Sequence, residues 1–112
     1  MTDYTAITYE RRGAAGWITL NRPAALNSLS VAMMRELADV LPKAAADESL
    51  RVLVITGNGR AFCAGADLKE VATLNDALKP GEPDFLDRVG AVFGALRNFP
   101  KPVIAAINGI TM

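Results

Sequence analysis

The stretch Val52-Leu53-Val54-Ile55-Thr56-Gly57-Asn58-Gly59-Arg60-Ala61-Phe62-Cys63-Ala64-Gly65-Ala66-Asp67-Leu68-Lys69-Glu70 decides the fold. Val52 to Thr56 is an unbroken run rich in β-branched residues, the pattern of a strand buried on both faces at the centre of a sheet, and Gly57-Asn58-Gly59 ends it in a turn. After Ala61-Phe62-Cys63-Ala64-Gly65, the helix formers and early acidic residue of Ala66-Asp67-Leu68-Lys69-Glu70-Val71 predict a helix beginning at about Ala66. Strand, glycine turn and helix N-terminus therefore follow in sequence.

Upstream, Ile7 to Arg12 alternates apolar and polar residues, and Trp17-Ile18-Thr19-Leu20 follows Gly13-Ala14-Ala15-Gly16, which predicts a β-hairpin with a four-residue loop. Pro23 lacks an N–H and holds Arg22 extended, so Asn21-Arg22-Pro23 breaks the second strand. Ser30 is placed to cap a helix whose apolar positions, Met33, Met34, Leu37, Val40, Leu41 and Ala44, recur at helical spacing. Pro42 inside that pattern predicts an end or kink near Leu41. Downstream, Asn75 to Asp84 reads as a polar loop. A helix from about Asp84 to Asn98 places Phe85, Leu86, Val89, Val92, Phe93 and Leu96 on one side. Val103-Ile104-Ala105-Ala106-Ile107 reads as another buried strand, ended by Asn108-Gly109, so the whole predicts a layered α/β fold with parallel pairing.

Composition narrows the function. About half the residues are apolar, and acidic and basic side chains are equal in number, as in one globular unit. A zero formal charge with scattered Lys and Arg disfavours nucleic-acid and anionic-membrane partners. No apolar run approaches the roughly 20 residues that span a bilayer, and the polar start predicts a cytoplasmic protein. With Cys63 the one cysteine and no histidine, neither a Cys/His metal site nor a Cys–His nucleophile is expected; Cys63 reads as a small buried hydrophobe.

The candidate chemistry lies in Phe62 to Glu70. The first N–H groups of a helix lack intrahelical partners and lie at the positive end of its dipole, so a carbonyl oxygen gaining negative charge is stabilised there, as in an oxyanion hole. Gly65, without a Cβ, permits unusual φ angles and close approach of a ligand. The same residues alone also fit a plain helix cap packed against the sheet.

Phe62 to Glu70 resembles the "F-[CAS]-A-G-A-D-[LI]-K-E" segment of enoyl-CoA hydratases. Leu20-Asn21-Arg22-Pro23-Ala24-Ala25-Leu26-Asn27-Ser28-Leu29 resembles that family's "L-N-R-P-x-x-x-N-A-L", and Pro100 to Gly109 its "P-K-P-V-I-A-A-V-N-G". The chain is identified as a member of the crotonase (enoyl-CoA hydratase/isomerase) superfamily, matching its N-terminal half. The resemblance implies the N-terminal portion of a crotonase-like fold of layered β-β-α repeats, opening with a β-hairpin, with the C-terminal part of the domain outside residues 1–112.

The resemblance also implies roles. The Ala66 N–H is one of two oxyanion donors to a thioester oxygen, and Gly65 allows the approach. Ala64 holds the adenine of coenzyme A through its main chain, Asp67 and Leu68 line the same pocket, and Ala24, Ala25 and Leu26 run along the pantetheine and phosphates. Family members often carry a lysine where Ala24 stands; Lys69 is the other source of that charge, unless it is simply a solvated helix lysine. No separate cofactor is expected, because coenzyme A is part of the substrate, an acyl- or enoyl-CoA thioester. Homotrimers or pairs of trimers are implied for the complete domain.

In the family, the second oxyanion donor and the catalytic glutamates follow the "N-G" motif, so they are expected beyond Met112. Losing one oxyanion donor lowers rates about 10²–10³-fold, and losing acid–base groups about 10²–10⁴-fold more, so the 112 residues alone are expected to be inactive. The leading expectation is an enoyl-CoA hydratase-like enzyme. Its rivals are another crotonase reaction (isomerase, dehalogenase or thioester hydrolase) and a silent half that binds coenzyme A or docks with a complementary half. RNA binding, known in some relatives, lacks an electrostatic basis here.

Overall fold

Gly13, at φ +61, and Ala14 form the turn between β1 (Ile7–Arg12) and β2 (Ala15–Leu20), whose antiparallel register pairs Arg12 with Ala15. The loop is thus two residues long, not four. Ala15 and Gly16 belong to the strand, and a Cβ at Gly16 would lie 2.6 Å from the Tyr9 hydroxyl and 2.9 Å from Leu50 Cδ1, so those side chains would have to move to admit one. The computed structural model describes residues 4–111.

The remaining elements are α1 (Val31–Ala46), β3 (Val52–Gly57), β4 (Ala61–Cys63), α2 (Leu68–Ala77), α3 (Phe85–Arg97), β5 (Val103–Ala105) and β6 (Ile110–Thr111). A mixed sheet runs β1-β2-β3-β5, antiparallel at β1–β2 and parallel at β2–β3 and β3–β5; β4 and β6 form a separate parallel pair. β3 is interior, as its sequence predicts, with Leu53 and Val54 buried on opposite faces.

The core lies between that sheet and α1. Ser30 caps α1, its Oγ accepting the Met33 N–H at 3.1 Å, and every expected apolar position of the helix is buried, together with Val31. Ile7, Ile18, Leu20 and Leu53 meet them from the sheet, and Phe85 and Val92 close the cluster from α3.

Pro42 does not end α1. The carbonyl that loses its intrahelical donor is that of Ala38, and both residues are exposed, so the gap lies on the solvent-facing side of the helix. The helix stops at Ala46, where the Lys101 ammonium donates to the carbonyls of Ala44 and Ala45, at 3.1 and 3.3 Å, and of Asp47. The Ala44 and Asp47 carbonyls also accept the Asp47 and Leu50 N–H groups, so Lys101 adds a further donor at the helix C-terminus, and the Pro100-Lys101-Pro102 segment ties β5 to the end of α1.

Three further expectations are corrected. α2 starts at Leu68 rather than Ala66 and runs on through Asn75, so the following loop is shorter than its polar composition implies. On α3, Phe85 and Val92 face the core but Leu86 and Phe93 are 75% and 53% exposed, because the helix touches the core along a narrow stripe. β5 is short and exposed rather than buried: it lies at the sheet edge, and no described element covers Val103, Ile104 or Ile107. The β4–β6 pair has no counterpart in the sequence reading. Cys63 is half-buried against the core cluster.

Candidate active site

Pro23 opens one turn of 3-10 helix (Pro23–Ala25), and the chain then passes through Leu26 and Asn27 with φ of 54° and 55°. Left-handed backbone is unfavourable for residues with a Cβ and persists only where surrounding bonds enforce it. Asn27 supplies them. It is fully buried, its Oδ1 accepts the Arg22 N–H at 2.8 Å, and its Nδ2 donates to the carbonyls of Asn58 at 3.0 Å and Ala61 at 2.8 Å. The loop is thereby fastened to the turn between β3 and β4. Asn108 fastens the same turn from the other side, accepting the Gly57 N–H at 3.0 Å and donating to the carbonyls of Gly59 and Ala61 at 3.0 and 3.2 Å. Gly57 fits between them because a Cβ would lie 2.4 Å from the Ala61 oxygen and 2.9 Å from Asn27 Nδ2.

From this clamp the chain runs to Ala66. Ala64 N–H donates to Leu26 O at 3.0 Å, Leu29 N–H to Gly65 O at 2.7 Å, and Asp67 N–H to Leu29 O at 2.9 Å. Leu29 and Ala66 therefore form a parallel bridge. In that pattern the residue whose two neighbours bond the partner turns its own N–H to the opposite side. Ala66 is that residue: it is exposed, and its N–H has no acceptor among the described residues. Gly65 has φ +96, a conformation that side-chain-bearing residues rarely adopt.

Asp67 follows as the cap of α2. Its Oδ1 accepts the Lys69 and Glu70 N–H groups at 3.2 Å each, and its Oδ2 accepts Arg22 Nη2 at 3.1 Å. The Glu70 amide above all, and then the Arg22 guanidinium, hold the Asp67 carboxyl below the usual carboxylate range. Arg22 also donates to the Ser28 carbonyl at 2.6 Å, so the ion pair braces the loop against the helix start.

The expected site residues thus gather on two adjoining strips. Ala24 is exposed on the 3-10 turn, while Ala25, Leu26 and Ala64 are half-buried, with Leu26 bonded to Ala64. Leu68 is 79% exposed and Lys69 is exposed, without an ion pair among the described residues. Ala66 is not in the first turn of α2; its amide is freed by the bridge to Leu29, one residue upstream of the cap. Asp67 spends its carboxylate on the cap and on Arg22. Arg22, Asn27 and Asn108 brace the strips around Ala66, and sequence reasoning gave them no role. Among the described residues no group of His, Cys, Asp or Glu side chains is arranged to hold a metal ion, and no helix is long and apolar enough to cross a membrane.

A family model described as enoyl-CoA hydratase/isomerase matches residues 15–112. The mitochondrial 3-hydroxyisobutyryl-CoA hydrolase of Rattus norvegicus is 38% identical over 112 residues, 99% of this chain and 29% of that protein. The 2,3-dehydroadipyl-CoA hydratase of Escherichia coli (strain K12) is 45% identical over 101 residues, 85% of this chain and 35% of that protein. A crystal structure of an enoyl-CoA hydratase from Mycobacterium marinum superposes with a TM-score of 0.80 at 36% identity, covering 93% of this chain and 48% of that one. The chain spans less than half the length of each of these relatives.

Proposed function

The chain belongs to the enoyl-CoA hydratase/isomerase family, and from that premise we propose that it binds the thioester end of an acyl-CoA at Ala66. The observation that carries this reading is the exposed Ala66 N–H, left without a partner by the Leu29 bridge and placed beside the positive end of α2. A thioester oxygen accepting that N–H gains most when charge moves onto it, because the donor and the helix dipole are already oriented. Gly65 keeps the approach to the amide free of a side chain. The strip Ala24-Ala25-Leu26, with Ala64 beside it, carries the nucleotide and pantetheine, and Leu68 offers an apolar surface.

The reaction proposed is hydration of an α,β-unsaturated thioester. Water adds at the β carbon, the electron pair of the double bond moves toward the carbonyl to give an enolate, and the α carbon then takes a proton. Ala66 stabilises the enolate oxygen; the second donor and the acid–base carboxylates come from outside these 112 residues, within the longer span typical of the relatives. Thioester hydrolysis is the second reading, favoured by the 38% identity to the rat hydrolase; both reactions place negative charge on the same oxygen.

Two assays test this. Titration calorimetry of the chain with butyryl-CoA is expected to give saturable binding that Gly65→Val abolishes, and binding unaffected by that substitution would overturn the site. Completing the domain with the rest of a family sequence is expected to restore loss of the conjugated-thioester absorbance of crotonyl-CoA, while the 112 residues alone give none. Release of free thiol from saturated acyl-CoA, with no absorbance loss from crotonyl-CoA, would establish the hydrolase reading instead.

A further inference from the structure

A groove of about 320 Å³ lies between α1 and α3, away from the Ala66 strip, lined by Met34, Arg35, Ala38, Pro83, Asp87, Arg88 and Ala91. None of the residues assigned to acyl-CoA borders it. Arg35 projects from α1 and Arg88 from α3, and neither has a carboxylate partner among the described residues. The Arg88 Nε is buried with no hydrogen-bond acceptor among those residues. A buried, unpaired guanidinium nitrogen is unfavourable, and two like charges sharing a groove add to that.

Among the described residues each nearby acid holds another group, and Asp87, whose carboxylate lines the groove itself, is outnumbered there by the two arginines. Glu36 accepts the N–H groups of Thr5, Ala6 and Ile7. Asp39, one turn beyond Arg35 and well placed for an ion pair with it, instead accepts from the Tyr4 hydroxyl at 2.6 Å and from Lys43 at 2.9 Å. Asp84 and Asp87 cap each other's backbone in a reciprocal box at the start of α3. Glu82 takes the Lys79 N–H at 3.4 Å. Donors are therefore in surplus at this groove, and Met34, Ala38, Pro83 and Ala91 make the rest of its wall apolar.

We infer that the groove binds a small organic carboxylate, its two oxygens taken by Arg35 and Arg88 and its short hydrocarbon body resting on Ala38, Pro83 and Ala91. The planar guanidinium fork matches a carboxylate, and the volume falls at the small end of the range for ligand pockets. This inference is independent of the acyl-CoA reading.

The test follows backbone amide signals of the full 112-residue chain during titration with sodium hexanoate. Saturable shifts are expected at Arg35, Ala38, Asp87, Arg88 and Ala91, with Gly65 and Ala66 unmoved. Arg35→Gln, at an exposed position that leaves the spectrum folded, is expected to weaken hexanoate at least about tenfold, the effect of one charge-assisted hydrogen bond. Hexylammonium is expected to shift none of these signals. The inference is overturned if hexanol shifts them as strongly as hexanoate, if Arg35→Gln leaves the affinity unchanged, or if inorganic phosphate binds as tightly, which would make the groove a bare anion site.

Discussion

Two helices of this chain start side by side, joined by one bridge between the residues that precede their caps, Leu29 before Ser30 and Ala66 before Asp67. The first start is closed. Leu29 spends both its N–H and its C=O on the partner strip, and Ser30 is buried with its Oγ on the Met33 amide. The second start is open: half-buried Asp67 caps α2, and Ala66 turns its amide away from everything described. A parallel bridge is asymmetric, so one side of it satisfies a buried start while the other presents an oriented, unpaired donor. The unpaired Ala66 amide results from an ordinary bridge with its partner strip on one side, reached through the positive φ of Gly65.

The largest expected effect comes from unfastening the loop that makes the bridge. Asn27→Leu removes three hydrogen bonds of a fully buried side chain and should lower stability in urea by about 3 kcal/mol or more. An unchanged midpoint would mean that the loop holds its shape without Asn27. Gly65→Val forces a branched side chain into φ +96 and should lower stability by about 2 kcal/mol; thermal unfolding monitored by circular dichroism measures it.

The two caps should separate by pH. Ser30→Ala is expected to lower stability by about 1 kcal/mol at every pH where the chain is folded. Asp67→Ala should cost about the same at neutral pH but not in acid. The Asp67 carboxyl lies below its ordinary value in the folded chain, so its contribution is whole above the unfolded value of about 3.9 and is lost as pH falls through the lower folded value. Urea midpoints of both variants against pH distinguish them, and parallel curves would contradict the role given to Asp67. The smallest effect is expected at Leu68→Ser, where an exposed side chain leaves stability within about 0.5 kcal/mol while butyryl-CoA affinity falls.

Much of this was legible in the residues. The apolar period of α1, its Ser30 cap and the interior run Val52 to Thr56 each state one local preference that tertiary packing reinforces. Pro42 misled because the effect of a missing donor depends on whether water reaches the freed carbonyl, and exposure is not written in the chain. Leu86, Phe93 and Val103 to Ile107 read as core because an apolar pattern shows which face seeks cover, not what covers it. For the site, the glycine at 65 was legible in the sequence, while Asp67 read as an acidic residue early in a helix rather than as its cap. The reason the Ala66 amide is free did not, since it rests on pairing with Leu29, a contact between residues far apart in sequence.

Amide hydrogen exchange at single-residue resolution, with and without butyryl-CoA, tests the open donor most directly. In the free chain the Leu29 and Asp67 amides, bonded across the bridge, should be protected while the Ala66 amide exchanges as in an unstructured peptide. Saturating ligand should then slow Ala66 selectively. An Ala66 amide as protected as Leu29 before ligand is added, or one whose exchange is unchanged at saturation, would contradict the claim.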